Sequence, residues 1–168
     1  MQLTPRSWSP TAIEDTTHFS AVAKSGLHRT IPDLPVTWSS DPPGVVFVAE
    51  DGAAVVLDAG TAQVRATIDG VTESATVHVV QTVESVIILS YFGNTISALG
   101  DSLFLIVDAR DRNHYSVAGT RFTLETLTPA VATVTAGGWV KAVGPGTADI
   151  VAFAAGKADT APVHVVIP

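Results

Sequence analysis

The sequence predicts an all-β protein built from two successive sandwiches of one small fold. Three observations lead there. The chain aligns with itself at an offset of about 86 residues, gap-free from Leu3/Leu89 to Val80/Val166, with about 20 of ~78 pairs identical. Within each copy, apolar residues alternate with Thr, Ser and charged residues, and no stretch holds them at helical spacing for three turns. Gly, Pro and Asp break that alternation every ~8–12 residues, the rhythm of short strands and turns.

The elements follow in order. In the first copy, strands are expected at 2–4 together with 11–13, then 17–24, 35–40, 45–49, 53–58, 61–68 and 72–80. The first carries Leu3 and Ile13. The second places Phe19 and Ala21 inward and His18 and Ser20 outward. The third, Val36-Thr37-Trp38-Ser39, stops at Asp41-Pro42-Pro43-Gly44, where proline removes donors and the chain turns. The later strands add Val48, Val64, Ala66, Val77 and Val79 to the inner face. The second copy repeats the scheme, with Leu105, Val107, Phe122, Leu124, Val134, Ile150, Ala152, Val163 and Val165 inward. Gly52, Gly60 and Gly70 stay in phase with Gly138, Gly146 and Gly156, as turns demanding positive φ require. About seven strands per copy is the count of an immunoglobulin-like sandwich, so the expected class is two tandem immunoglobulin-like β-sandwich domains, 1–82 and 83–168. The joint, Gln81-Thr82-Val83-Glu84-Ser85, has neither Gly nor Pro, and restricted bending is expected of it.

Composition narrows the function classes. Of 168 residues, 46% are hydrophobic and 15% charged, which excludes a disordered chain. With no Cys, each core must be stable without disulfides. The net charge of −7 argues against nucleic acid or an anionic membrane as partner, since both need clustered Lys and Arg. No apolar run approaches the ~18 residues a membrane helix needs, so membrane insertion by this segment is not expected. Met1–Arg6 lacks a basic run followed by an apolar one, so no signal peptide is read there. Neither Asn94 nor Asn113 lies in a glycosylation sequon.

Several segments resemble bacterial Ig-like domains of group 2. They are Val36-Thr37-Trp38-Ser39-Ser40-Asp41-Pro42, Ala98-Leu99-Gly100-Asp101-Ser102-Leu103, Pro129–Val134 and Gly138–Ala148. The match is fuller in the second copy; in the first, Asp58-Ala59-Gly60 stands for Gly-Pro-Gly and Glu14-Asp15 for Gly-Asp. The resemblance implies a non-enzymatic β-sandwich module of a cell-surface, secreted or phage protein, used as a semi-rigid spacer or adhesive segment. It implies an extracellular, surface or virion location, and a protein or glycan surface partner. The chain is expected as a monomer or as part of a longer one.

Candidate sites divide by chemistry. His28/His114 and His78/His164 repeat in register, but without a third ligand at fixed spacing they are expected as exposed residues rather than a metal site. Asp108, Asp111 and Asn113, with Glu50, Asp51, Asp101 and Glu84, offer hard oxygens. Calcium is the one cofactor such a set suits, and solvated turn carboxylates are the default. No nucleophile elbow, paired-carboxylate site or phosphate loop is legible, so no catalytic residue is assigned. An internal Lys–Asn crosslink from Lys24, Lys141 or Lys157 is not expected in the first copy, which has no Asn.

The informative feature is a difference between the copies. Outward His18 and Ser20 become Phe104 and Ile106, and outward Ala53 becomes Trp139. Phe104, Ile106 and Trp139, with Tyr91 or Phe92 nearby, are the candidate interaction patch, because contiguous exposed apolar surface marks a contact. The competing expectation is that the connection 110–121 or the other domain covers them. A carbohydrate-binding accessory module using Trp139 as a stacking platform, or a phage decoration or fibre protein, are the alternative functions.

Overall fold

The computed structural model describes residues 1–167. The chain divides into two compact units, Met1–Thr82 and a second that begins at Val83. No helix is present among the described residues.

The first unit contains β1 (Gln2–Thr4), β2 (Ser7–Trp8), β3 (Thr16–His18), β4 (Ser20–Lys24), β5 (Thr30–Ile31), β6 (Thr37–Asp41), β7 (Val46–Val48), β8 (Ala53–Val56), β9 (Gly60–Ile68) and β10 (Val71–Val79). One sheet has the order β2-β10-β9-β6, and the other layer is formed by β1-β4-β5 and β3-β8-β7. Period-two alternation sends Ala62, Val64, Ala66, Ala75, Val77 and Val79 from the first sheet to meet Leu3, Phe19, Val46, Ala54 and Val56 from the second layer. Trp8 and Trp38 both pack on Phe19, each with ring centroids 6.4 Å away.

The second unit contains β11 (Ser85–Leu89), β12 (Thr95–Ile96), β13 (Ser102–Phe104), β14 (Ile106–Arg110), β15 (Thr123–Thr126), β16 (Ala132–Val134), β17 (Trp139–Ala142), β18 (Gly146–Ala154) and β19 (Lys157–Val165). Its sheets are β12-β19-β18-β15, β13-β17-β16 and β11-β14. Its core is aliphatic, centred on Leu105, Val140, Ile150 and Val163. The two units share their registers: Ser7↔Thr76 in one and Thr95↔His164 in the other are the same parallel pairing.

Two glycine positions show why the repeat stays in phase. A Cβ on Gly52 would stand 2.3 Å from the carbonyl oxygen of Phe19, and one on Gly138 2.3 Å from that of Leu105. Each glycine carbonyl also accepts the amide of that same residue at 2.8 Å. The backbones approach so closely that no side chain fits.

The structure corrects three expectations. Residues 11–13 are not a strand. The Asp15 carboxylate accepts the amides of Thr11 and Ala12 and closes a turn there, while Ser7–Trp8 takes the edge beside β10. Pro10, with no N–H, favours that change. The run 17–24 is interrupted at Phe19: its first part pairs with β8 and its second with β1. Phe122, expected inward, is 38% exposed. It precedes β15, whose pairing begins at Thr123↔Phe153, so no ladder fixes its side chain toward the core.

Candidate functional site

The outer face of β13 and β17 is built by alternation. Leu103 and Val140 are buried and pair with one another, so their neighbours Phe104 and Trp139, also cross-strand partners, point outward. Their ring centroids are 5.1 Å apart with planes at 53°. Gly138, at φ +94°, places Trp139 at the start of its strand, and Thr135 Oγ1 accepts the Trp139 amide at 3.1 Å. A Cβ on Gly138 would lie 3.2 Å from Phe104 Cε2, so the Phe104 ring lies against that glycine.

Phe92, Phe104 and Trp139 line one depression of about 360 Å³. The polar residues Thr95, Ser97, Asp101 and Ser102 also line it. Trp139 is 54% exposed and Phe92 91%. Phe92 stands on a short turn in which Ser90 Oγ donates to the Gly93 carbonyl. The connection 110–121 folds back on β14, where the Val117 amide donates to Ala109, and none of its residues lines the depression.

The other two residues of the predicted patch lie apart. Chain direction changes at buried Leu105, so Ile106 belongs to β14, pairs with Leu89 and is half-buried. Tyr91 is exposed beside Phe92 but does not line the depression.

Asp101 is the member that sequence reasoning placed elsewhere, among the hard oxygens. Its counterpart Asp15 has the same backbone setting: Val56 donates to the Asp15 carbonyl and Ala142 to the Asp101 carbonyl, each at 2.9 Å. The side chains part company. Asp15 is 6% exposed and its Oδ2 accepts two amides. The Asp101 carboxylate is exposed and has no hydrogen-bond or ion-pair partner among the described residues.

Most of the remaining candidates are engaged within the protein. His78 Nδ1 and His164 Nδ1 lie 2.9 and 3.0 Å from the hydroxyls of Thr61 and Thr147, their cross-strand neighbours. His28 and His114 both adopt positive φ in equivalent turns. Asp111, buried, accepts the amides of Asn113 and Tyr115 at 3.0 Å, and Asp108 Oδ2 accepts from Arg110 Nε at 2.8 Å. Glu84 pairs with Lys157, and Asp51 Oδ1 accepts the Ala53 amide. Among the described residues no three His, Cys, Asp or Glu side chains gather as a metal cluster.

No family model matches the chain, and no curated protein is similar to it in sequence. Solved structures are. The crystal structure of invasin, a bacterial integrin-binding protein, superposes with a TM-score of 0.62 at 14% identity, over 99% of this chain and 39% of that one. S-layer protein SbsC domains 4 and 5 give 0.48 at 23% identity, covering 89% and 81%. The Escherichia coli adhesin FdeC gives 0.47 at 16%, covering 98% and 62%. The likeness to invasin shows the fold, tandem Ig-like β-sandwiches, and this chain spans under half of the invasin chain.

Proposed function

We propose that the chain is a non-enzymatic tandem Ig-like segment, of the group 2 bacterial type, belonging to a cell-surface or secreted protein. Its first unit serves as a spacer and its second makes an adhesive contact through the face of β13 and β17. One observation carries this reading. Two copies of one fold share register and turns, yet only the second exchanges His18 and Ala53 for the exposed pair Phe104 and Trp139. Phe104 serves packing in part, since its ring lies against Gly138 where the Trp38 ring lies against Gly52 in the first copy, but Trp139 stays 54% exposed. Aromatic anchors on an exposed face are the side chains that dominate contact energies.

The test displays the 168-residue chain on a bacterial surface and measures retention on immobilised extracellular-matrix proteins and on a glycan panel. Retention on a protein surface that is lost with Trp139→Ala, but kept with Ala53→Ser, is the expected result. Retention indifferent to Trp139 overturns the contact face. Retention confined to glycans moves the reading to a carbohydrate-binding accessory module. The flanking gene sequence tests the setting: a leader and anchor agree with it, and tail or capsid neighbours favour a virion protein.

A further inference from the structure

We propose that the depression lined by Phe92, Phe104 and Trp139 receives a positively charged side chain, a lysine or arginine, presented by a partner protein. The proposal rests on the reading of this face as a contact surface and names what the face recognises.

Two differences between the copies converge on the same place. The first is the gain of Phe104 and Trp139, whose tilted rings pack on one another, 5.1 Å between centroids, and together line the depression. The second is the release of Asp101. Its counterpart Asp15 spends its carboxylate on the Thr11 and Ala12 amides, whereas Asp101 is one of the residues lining the depression and its carboxylate has no partner among the described residues. Aromatic faces are negative at their centres and attract cations, Trp most strongly. A carboxylate beside them adds a full counter-charge. No basic residue lines the depression; Lys141, the cross-strand partner of Ser102, lies outside the lining. After Thr82 the chain has seven acidic and five basic residues, so the surrounding unit is also net negative.

The charge decides between occupants. An anionic group meets an uncompensated carboxylate and is repelled. A neutral sugar uses Trp139 and the hydroxyls of Ser97 and Ser102, but gains no ionic attraction from Asp101. A guanidinium or ammonium uses both the rings and the carboxylate. A volume of about 360 Å³ lies near the lower end of ligand-pocket sizes and suits one side-chain head.

The test titrates the full chain, labelled on the tryptophan indole, with the peptide Ac-Gly-Arg-Gly-NH2, its citrulline isostere, and methyl glucoside as the neutral sugar. The Trp139 indole N–H signal is followed by NMR. The arginine peptide is expected to shift it at millimolar concentration. The citrulline peptide should bind at least about three-fold more weakly, the scale of one exposed cation–π contact. Asp101→Asn should weaken the arginine peptide by a similar factor and Asp101→Glu should restore it, with unchanged unfolding midpoints. No shift with the arginine peptide, equal binding of its citrulline isostere, or indifference to Asp101→Asn each overturns the proposal. So does tighter binding of the glucoside. If Trp139→Ala abolishes retention on a protein surface while the arginine peptide leaves the indole unmoved, the contact face stands and the charged occupant falls.

Discussion

Phe104 and Trp139 are direct cross-strand partners on an outer sheet face, 5.1 Å apart between ring centroids. Each therefore stabilises the other, although neither is buried. Aromatic pairs of this geometry add about 0.5–1.5 kcal/mol beyond area burial. A double-mutant cycle of Phe104→Ala and Trp139→Ala, read by urea unfolding of the full chain, should return a coupling energy in that range. A coupling indistinguishable from zero shows that the rings touch without supporting the sheet, and that their place on the surface has only a binding rationale.

Asp15 and Asp101 occupy the same place in the repeat and do different work. Replacing Asp15 by Ala leaves the Thr11 and Ala12 amides without their acceptor in a buried setting. That should cost about 1–3 kcal/mol. Replacing Asp101 by Ala removes an exposed carboxylate with no partner among the described residues, and should stay within about 0.5 kcal/mol of the parent. Equal costs at the two positions contradict the contrast on which the charged site is argued.

Gly52 and Gly138 are the least replaceable positions of the repeat. An added Cβ meets a backbone carbonyl oxygen at 2.3 Å, and the φ angles of +91° and +94° are themselves unfavourable for other residues. Overlap with backbone cannot be relieved by a rotamer change. Gly138→Ala should cost more than about 2 kcal/mol, whereas Gly156→Ala, with open space around its Cβ, should cost only about 1–2 kcal/mol, that of a left-handed residue. Unfolding midpoints of the two variants check the order.

Most of this architecture is legible from the sequence because two periodicities reinforce each other. Alternation places Val64, Ala66, Val77 and Val79 in the core, and the repeat carries the assignment to Ile150, Ala152, Val163 and Val165. What alternation misses lies where a strand ends or changes sheet. Phe19 and Leu105 mark such points, so Ile106 leaves the face that simple alternation would give it beside Phe104. Phe122 falls outside the ladder for a related reason. The aromatic pair was readable because it differs between copies at outward positions. The role of Asp101 was not, since an unpartnered carboxylate and a capping one have the same letter.

The β18–β19 hairpin turns through a left-handed alanine. In the first unit the turn between β9 and β10 is Asp69-Gly70, with φ of +50° and +77°. Two positive φ values in succession are the geometry of a type I′ turn, where Asn or Asp followed by Gly is favoured. The second unit holds the same geometry with Ala155-Gly156, at +49° and +77°. Alanine in the left-handed region costs about 1–2 kcal/mol, because its Cβ crowds the backbone carbonyl. Asn and Asp visit that region far more readily, since their short polar side chains bond locally. Ala155 is exposed, so a larger polar side chain there meets no packed neighbour. Ala155→Asn should therefore stabilise the protein by about 0.5–1 kcal/mol and raise the melting temperature of the transition that includes this hairpin by a few degrees. Calorimetry of the full chain checks it, and a melting temperature that stays put or falls would show that Ala155 carries no strain.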